Sequence, residues 1–169
     1  HNTLRTNNLD YNTKDSVAIF RNGASMRDKD GQIIESRDGT YESKIKRFTF
    51  ENDVNMFTDS IFVKTRKLIY ESDLNLATFG AGTNAWQEDN MLSSEKGWYD
   101  RGREVFLFMD DVHVMTPDQE GWCDSLYFYR NTADVEMLGN AQVSDTTRNV
   151  FSLAGRIDYV DSLSRVTLT

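Results

Sequence analysis

The sequence contains little cysteine or proline and no long apolar run. Cys123 is the one cysteine among 169 residues, which excludes an internal disulfide but leaves the redox compartment open, because many exported proteins lack disulfides. Pro117 is the one proline, which is compatible with strands that pair on both sides. No stretch approaches the roughly 18 apolar residues of a membrane-spanning helix, so we expect no membrane span.

Positive charge is also scarce. There are 19 Lys and Arg residues against 27 Asp and Glu residues, which gives a net charge of −8 and a pI of about 4.7. Nucleic acids and anionic membrane surfaces would be repelled, so we predict that neither is a partner. His1-Asn2-Thr3 lacks the basic and apolar regions of a signal peptide, so we expect a mature fragment from which an export signal has been removed.

Tyrosine, in contrast, recurs at a nearly constant interval. Six of the seven tyrosines are separated by 29 or 30 residues, and only Tyr127 falls outside the series. The marker tyrosines are Tyr11, Tyr41, Tyr70, Tyr99, Tyr129 and Tyr159. This spacing predicts about five tandem units of roughly 30 residues, which must stack because one unit cannot bury an apolar face alone.

A second series of apolar residues keeps step with the tyrosines. Nine residues after the first four markers stand Phe20, Phe50, Phe79 and Phe108, with Leu138 or Met137 in the fifth unit. A small or polar pair such as Asn52-Asp53 follows, and then a short strand-like run. In the second unit Phe48, Phe50, Val54 and Met56 share one parity, which predicts one dry and one wet face.

These patterns predict an all-β fold in a single domain over residues 1–169. Another apolar residue precedes most marker tyrosines by seven positions, and Gly, Asn and Asp separate the apolar runs, so we expect two or three short strands per unit. The polar residues 1–10 are expected to be frayed. A sixth unit begins at Leu168-Thr169, so we expect a fragment of a longer protein or an edge open to a partner.

Residues 48–70 carry the motif Phe-x-Asn-Asp-Val-x-Met, followed by an apolar residue, a small residue and Leu-x-Tyr. The motif is formed by Phe50, Asn52, Asp53, Val54, Met56, Val63, Thr65, Leu68 and Tyr70. It resembles the OstA/LptA-like family, and the resemblance covers about residues 9–169. Where that family often has Ala-Asp before the tyrosine, this chain has pairs such as Ser36-Arg37, so it resembles a divergent member.

The resemblance implies a bent, mostly antiparallel β-jellyroll stack with an open apolar groove that shields the acyl chains of lipopolysaccharide or a related lipid in the periplasm. It also implies edge-strand pairing with other OstA/LptA-like domains, including head-to-tail homo-oligomers, at edges around Tyr11–Phe20 and Arg156–Leu168. Carried over by position, the groove residues would be Phe20, Met26, Phe50, Val54, Met56, Phe79, Ala85, Phe108, Val112, Val114, Met137 and Val143. The opposite wall would consist of Ile34, Val63, Leu92 and Trp122.

Motifs typical of enzymes and metal sites are incomplete here. Asp28-Lys29-Asp30-Gly31 begins like a calcium loop, but the later ligands are missing and we interpret it as a polar hairpin turn. Ser93-Ser94-Glu95-Lys96 has a Ser-x-x-Lys spacing without a companion motif. His113 falls on the outward parity of its strand, and Cys123 is expected to be a buried structural thiol. We therefore predict no catalytic residue, no cofactor and no metal.

Three functions stay open at this point. The first is a lipid carrier, because apolar strand faces rich in Phe and Met suit variable acyl chains and each buried CH₂ contributes about 0.8 kcal/mol. The second is a structural β-repeat scaffold of a surface protein, since the same apolar stripe is typical of a closed core. The third is a carbohydrate-binding domain, although Trp86, Trp98 and Trp122 recur at no fixed place in the repeat.

Overall fold

A computed structural model describes residues 2–169, and nearly all of them lie in strands or in the tight turns between strands. The strands are β1 (Thr3–Asn12), β2 (Val17–Arg27), β3 (Ile33–Ser36), β4 (Asp38–Glu42), β5 (Arg47–Thr58), β6 (Ile61–Glu71), β7 (Leu76–Gln87), β8 (Asn90–Ser94), β9 (Lys96–Asp100), β10 (Val105–Met115), β11 (Gln119–Tyr129), β12 (Asp134–Asp145), β13 (Val150–Val160) and β14 (Arg165–Leu168). One short 3-10 turn, Asp161–Leu163, connects β13 to β14. The predicted all-β class is confirmed.

All the strands belong to one 14-stranded sheet, and every pairing between them is antiparallel. Apart from β3 with β4 and β8 with β9, successive strands are neighbours, as expected when short hairpin turns connect them. β3 and β4 lie end to end between β2 and β5, and β8 and β9 lie end to end between β7 and β10. Each of these pairs takes the place of one interrupted strand. β1 forms one edge of the sheet, and β13 with β14 forms the other.

The expectation that residues 1–10 are frayed is wrong for the described part of that segment. Thr3–Asn12 forms β1 and pairs with β2 from Thr3 opposite Arg27 to Asn12 opposite Val17. The polar side chains of β1 gave no apolar alternation, but backbone pairing along β2 holds the strand in place. His1 lies outside the described residues.

A β-bulge interrupts β2, β5, β7, β10 and β12 near the middle of each strand. The bulges are Asn22-Gly23, Asn52-Asp53, Ala81-Gly82, Asp110-Asp111 and Gly139-Asn140, and all ten residues have positive φ. Asn, Asp and Gly adopt this left-handed conformation at least cost. The small or polar pairs therefore lie within continuous strands of 11 or 12 residues and do not separate shorter ones.

The sheet bends at these bulges, so that the two halves of its inner face cover each other. Phe20 and Met26 stand on either side of the first bulge, yet both are 0% exposed and both belong to one apolar cluster. A side chain on a sheet face becomes fully buried only when a second layer covers it. Turns far apart in sequence meet across the two halves, as when Arg101 forms an ion pair with Asp28.

One row of inner residues crosses the sheet at paired positions. The row begins Phe20, Gly39, Phe50, Leu68, Phe79, Gly97 and Phe108. A β-carbon on Gly39 would lie 2.4 Å from the ring of Phe20, and one on Gly97 would lie 2.4 Å from the carbonyl oxygen of Leu107. The two glycines thus leave space that their neighbours occupy, and this close packing helps to fill the core.

Candidate functional site

The interior between the two halves of the sheet is closed in the first part of the chain. The predicted groove residues with 0–1% exposure are Phe20, Met26, Ile34, Phe50, Val54, Met56, Val63, Phe79 and Val112. Their side chains belong to the continuous apolar cluster. This part of the interior is a packed core, so we do not expect it to admit a ligand without rearrangement.

The interior opens in the last part of the chain, where a cavity of about 780 Å³ lies between β10 and β14. Its apolar wall consists of Val114, Leu126, Phe128, Val135, Met137, Val143, Val150, Ile157, Tyr159, Val166 and Leu168. The volume falls within the roughly 300–1,000 Å³ that is typical of small-molecule sites. We call this space the C-terminal cavity.

A smaller cavity of about 180 Å³ continues the C-terminal cavity toward the packed core. Both are lined by Val114, Leu126, Phe128 and Val135. The smaller cavity is also lined by Ala85, Leu92, Phe106 and Phe108. The predicted groove residues Ala85, Leu92 and Phe108 thus line this extension, whereas Val114, Met137 and Val143 line the C-terminal cavity itself.

Charged residues stand at the rim of the C-terminal cavity, among them Arg130, Asp145, Arg148 and Asp161. The Thr147 hydroxyl, helped by the backbone N–H of Arg148, lowers the pKa of Asp145 to about 2, so this carboxylate stays charged. The rim is therefore polar and the wall apolar, an arrangement that suits an amphiphile.

Arg130 anchors one end of this rim. Its guanidinium donates to the hydroxyl oxygen of Tyr99 at 2.6 Å and forms an ion pair with Asp59. The hydrogen bond from Arg130, followed by its charge, lowers the pKa of Asp59. The Arg130 side chain is 13% exposed, whereas that of Asp59 is 67% exposed, so the pair meets solvent on the aspartate side.

The prediction that Trp122 lies on the inner wall is wrong. Trp122 stacks on His113 on the outer face, with ring centroids 5.3 Å apart, while its neighbours Gly121 and Cys123 are buried. Phe128 pairs with Phe106 as Tyr70 pairs with Phe48, so Phe128 takes the place of the marker tyrosine. Counting from Tyr129 was therefore wrong by one residue, which selects the opposite face of a strand.

Several residues of the cavity wall were not predicted from the sequence. Leu126, Phe128, Val135 and Ile157 line it together with the marker tyrosine Tyr159. Alternation along β11 from Leu126 to Phe128 was a signal that could have identified two of them. The fifth and sixth units carry few aromatic landmarks, which left the register of β12 and β13 weakly specified.

Cys123, Asp28 and His113 have environments that stabilise the fold and, within residues 2–169, form no catalytic or metal site. Burial raises the pKa of the Cys123 thiol to about 12, as expected for a buried thiol. Asp28 lies in the turn between β2 and β3, where its carboxylate accepts the backbone N–H groups of Asp30 and Gln32, each at 2.9 Å. His113 faces outward as predicted, and its Nε2 lies 2.7 Å from Glu120 Oε1.

Residues 2–169 contain no cluster of three or more His, Cys, Asp or Glu side chains arranged to hold a metal ion. Over the same range, no helix has both the length and the apolar character that crossing a membrane requires.

Comparison with known proteins places the chain in a family. No curated protein sequence matches it. Among solved structures, it is similar to LptH of Pseudomonas aeruginosa, the LptA-homologous periplasmic component of the lipopolysaccharide transport device, at 10% identity and a TM-score of 0.43, with 100% of this chain and 94% of that chain covered. The model of the family described as OstA-like protein matches residues 1–65 and 56–122, which together span most of the sequence. The chain belongs to the OstA-like family.

Proposed function

We propose that this chain is a periplasmic lipid carrier that shields the acyl chains of lipopolysaccharide, or of a related lipid, on the way to the outer membrane. The observation that carries the proposal is the C-terminal cavity, whose apolar wall and polar rim match the two parts of an amphiphile. Its wall includes Met137 and Phe128, side chains that offer large and adaptable apolar contact. Membership of the OstA-like family supports the same proposal.

A structural scaffold is the competing function, and the closed interior of the first part of the chain favours it. Phe20, Phe50 and Phe79 are 0–1% exposed, as in an ordinary core. The two functions differ in what they require of the C-terminal cavity. A carrier must hold lipid there, whereas a scaffold needs no occupant.

Photo-crosslinking in cells separates the two functions. Phe128 and Tyr127 are consecutive on β11, but Phe128 lines the cavity while Tyr127 stacks on Tyr129 on the outer face. A benzophenone amino acid in place of Phe128 should form adducts with lipopolysaccharide, and the same residue in place of Tyr127 should not. Adducts at neither position, in a folded protein recovered from the periplasm, would favour the scaffold.

We further propose that like domains associate head to tail through the edges of the sheet. β14 pairs with β13 only over Ile157–Val160, so within residues 2–169 the Val150–Ala154 part of β13 has no strand on its outer side. Phe151 and Leu153 on this edge are 60% and 66% exposed. Such an edge is suited to strand addition by a second domain.

Sedimentation at increasing protein concentration tests this association. A Phe151→Lys, Leu153→Lys double variant places two charges along the edge and should reduce self-association, because lysine on an edge strand opposes pairing. Leu74→Lys alters an exposed residue in a turn away from both edges and serves as the control. Unchanged association in the double variant would contradict pairing through β13.

A further inference from the structure

Two ion pairs connect turns on opposite sides of the bent sheet. Asp28 follows β2 and pairs with Arg101, which follows β9. Asp59 follows β5 and pairs with Arg130, which follows β11. We call this line of contact the seam. The interior is packed beside the first pair, and the C-terminal cavity begins at the second, because Arg130 and Ser60 line its rim.

The seam repeats with nearly the period of the chain. Asp28 and Asp59 are 31 residues apart, and Arg101 and Arg130 are 29 apart. Arg101 and Arg130 each stand two residues after an inner aromatic residue, Tyr99 and Phe128. These regular intervals identify the next position in the aspartate series and in the arginine series.

At the third position of the seam the charges no longer match. Asp161 follows the inner residue Tyr159 by two positions, where the earlier turns have arginine. It lines the cavity rim together with Gln87 and Asn90, which flank the turn of Glu88 and Asp89. An aspartate opposite a turn that carries two acidic residues cannot form the ion pair that the first two positions have, because like charges repel.

The two existing pairs differ in how firmly they hold. In the first, the Asp28 and Arg101 side chains are 5% and 13% exposed, so separating them would leave buried charges without partners. In the second, Asp59 is 67% exposed and returns to solvent at little cost, and Arg130, which is 13% exposed, keeps its hydrogen bond to Tyr99. The second pair is thus the position at which the seam opens more readily.

We propose that the seam sets how much of the interior a lipid can reach. Asp161 stands at the mouth of the C-terminal cavity, and the Asp59–Arg130 pair is a boundary whose opening exposes the interior of one more repeat unit. This rests on the proposed lipid-carrier function for its ligand, a single long acyl chain of an amphiphile. The unpaired third position leaves the C-terminal cavity accessible. When the second pair opens, the smaller cavity lined by Ile61 and Ala85, which already continues the C-terminal cavity, can widen to admit the acyl chain.

A ligand-free measurement tests the seam itself. In a Cys123→Ser background, Val135→Cys places a thiol on the cavity wall, and its maleimide labelling rate reports access. Asp161→Arg should slow labelling roughly two- to fivefold, the range that one exposed ion pair supports. Asp59→Asn, which breaks the second pair from its exposed side, should speed labelling. The control for Asp161→Arg is Glu35→Arg, which makes the same charge change at an exposed site away from the seam and should leave the labelling rate unchanged.

Binding of saturated fatty acids of increasing chain length then tests the ligand. Asp161→Arg should weaken binding, and Asp59→Asn should extend the tolerated length. If neither substitution changes the labelling rate while fatty acids bind the unaltered protein, the proposed role of the seam is wrong and the carrier function still holds. If the labelling rates change as stated but no variant binds fatty acid, the seam controls access to the cavity, and the result counts against the carrier function.

Discussion

The guanidinium of Arg101 forms an ion pair with the carboxylate of Asp28, 73 residues earlier in the chain, where the aspartate side chain is only 5% exposed. Asp28 also holds its own turn, because its other carboxylate oxygen accepts the N–H groups of Asp30 and Gln32. One buried carboxylate therefore links the local shape of a turn to the closure of the bent sheet.

Arg101→Ala should destabilise the fold strongly, because it leaves the Asp28 carboxylate buried without its cation. Removal of one partner from a buried pair costs about 3–5 kcal/mol. Urea denaturation would measure the loss in free energy of unfolding. Arg103→Ala in the same turn is the control, since Arg103 is 82% exposed and its loss should cost less than about 0.5 kcal/mol. Equal losses in the two variants would contradict a closed seam at this position.

Gly97→Ala should be far more costly than Gly80→Ala, because Gly97 is buried on the inner face of β9, whereas Gly80 follows the inner residue Phe79 in the paired strand β7 and lies on the outer face. A β-carbon on Gly97 would lie 2.4 Å from the Leu107 carbonyl oxygen, whereas a β-carbon on Gly80 would have no atom within 4 Å. Overpacking of this kind costs about 1–3 kcal/mol or more, since backbone must move. Thermal or urea unfolding of the two variants gives the comparison. A smaller loss for Gly97→Ala than for Gly80→Ala would refute the packed row.

The Asp59–Arg130 pair should make stability depend on pH. The hydrogen bond and charge of Arg130 lower the pKa of Asp59 below its ordinary value of 3.8. A folded-state pKa below the unfolded value gives a stabilisation that is present above the unfolded pKa and is lost as pH falls through the folded one.

The difference in free energy of unfolding between the unaltered protein and Asp59→Asn should therefore shrink as pH is lowered from about 4. Repeating the pH series with Arg130→Gln as the background provides the control, because the Asp59→Asn effect should then be small at every pH. A difference that persists in that background would show that Arg130 is not the cause.

Cys123 should react slowly with iodoacetamide at mildly alkaline pH. Its burial raises the pKa to about 12, so the reactive thiolate is scarce in the folded protein. The matched control is Asp124→Cys in a Cys123→Ser background, which moves the thiol one residue along β11 to an exposed position. Mass spectrometry should show faster alkylation of the control, and equal rates only after both proteins are unfolded in urea. Fast alkylation of folded Cys123 would contradict its inward placement.

Strand alternation predicted the inner face well where aromatic residues mark each strand. Phe50, Val54 and Met56 lie inward as expected, since the bulge at Asn52-Asp53 leaves their parity unchanged. The error at Trp122 arose where Phe128 replaces the marker tyrosine, so that counting from Tyr129 reversed the face.

The open and closed parts of the interior could not be predicted in the same way. They depend on pairs such as Asp59 with Arg130, which meet only after the sheet has bent and which no local pattern connects. Burial of apolar residues was readable from sequence because it follows local periodicity, whereas accessibility depends on contacts between distant turns.

The paired left-handed residues at the centre of alternate strands have a consequence for size. Each bulge bends its strand, and because the bulges lie near the middle of every second strand they line up across the sheet, so that one sheet folds into two facing walls. Adding two strands, one of them with a bulge, would lengthen those walls by about 10 Å, the width of two strands, without altering the distance between the walls. The number of bulges, and not the chemistry of any one strand, therefore sets the length of the two facing walls.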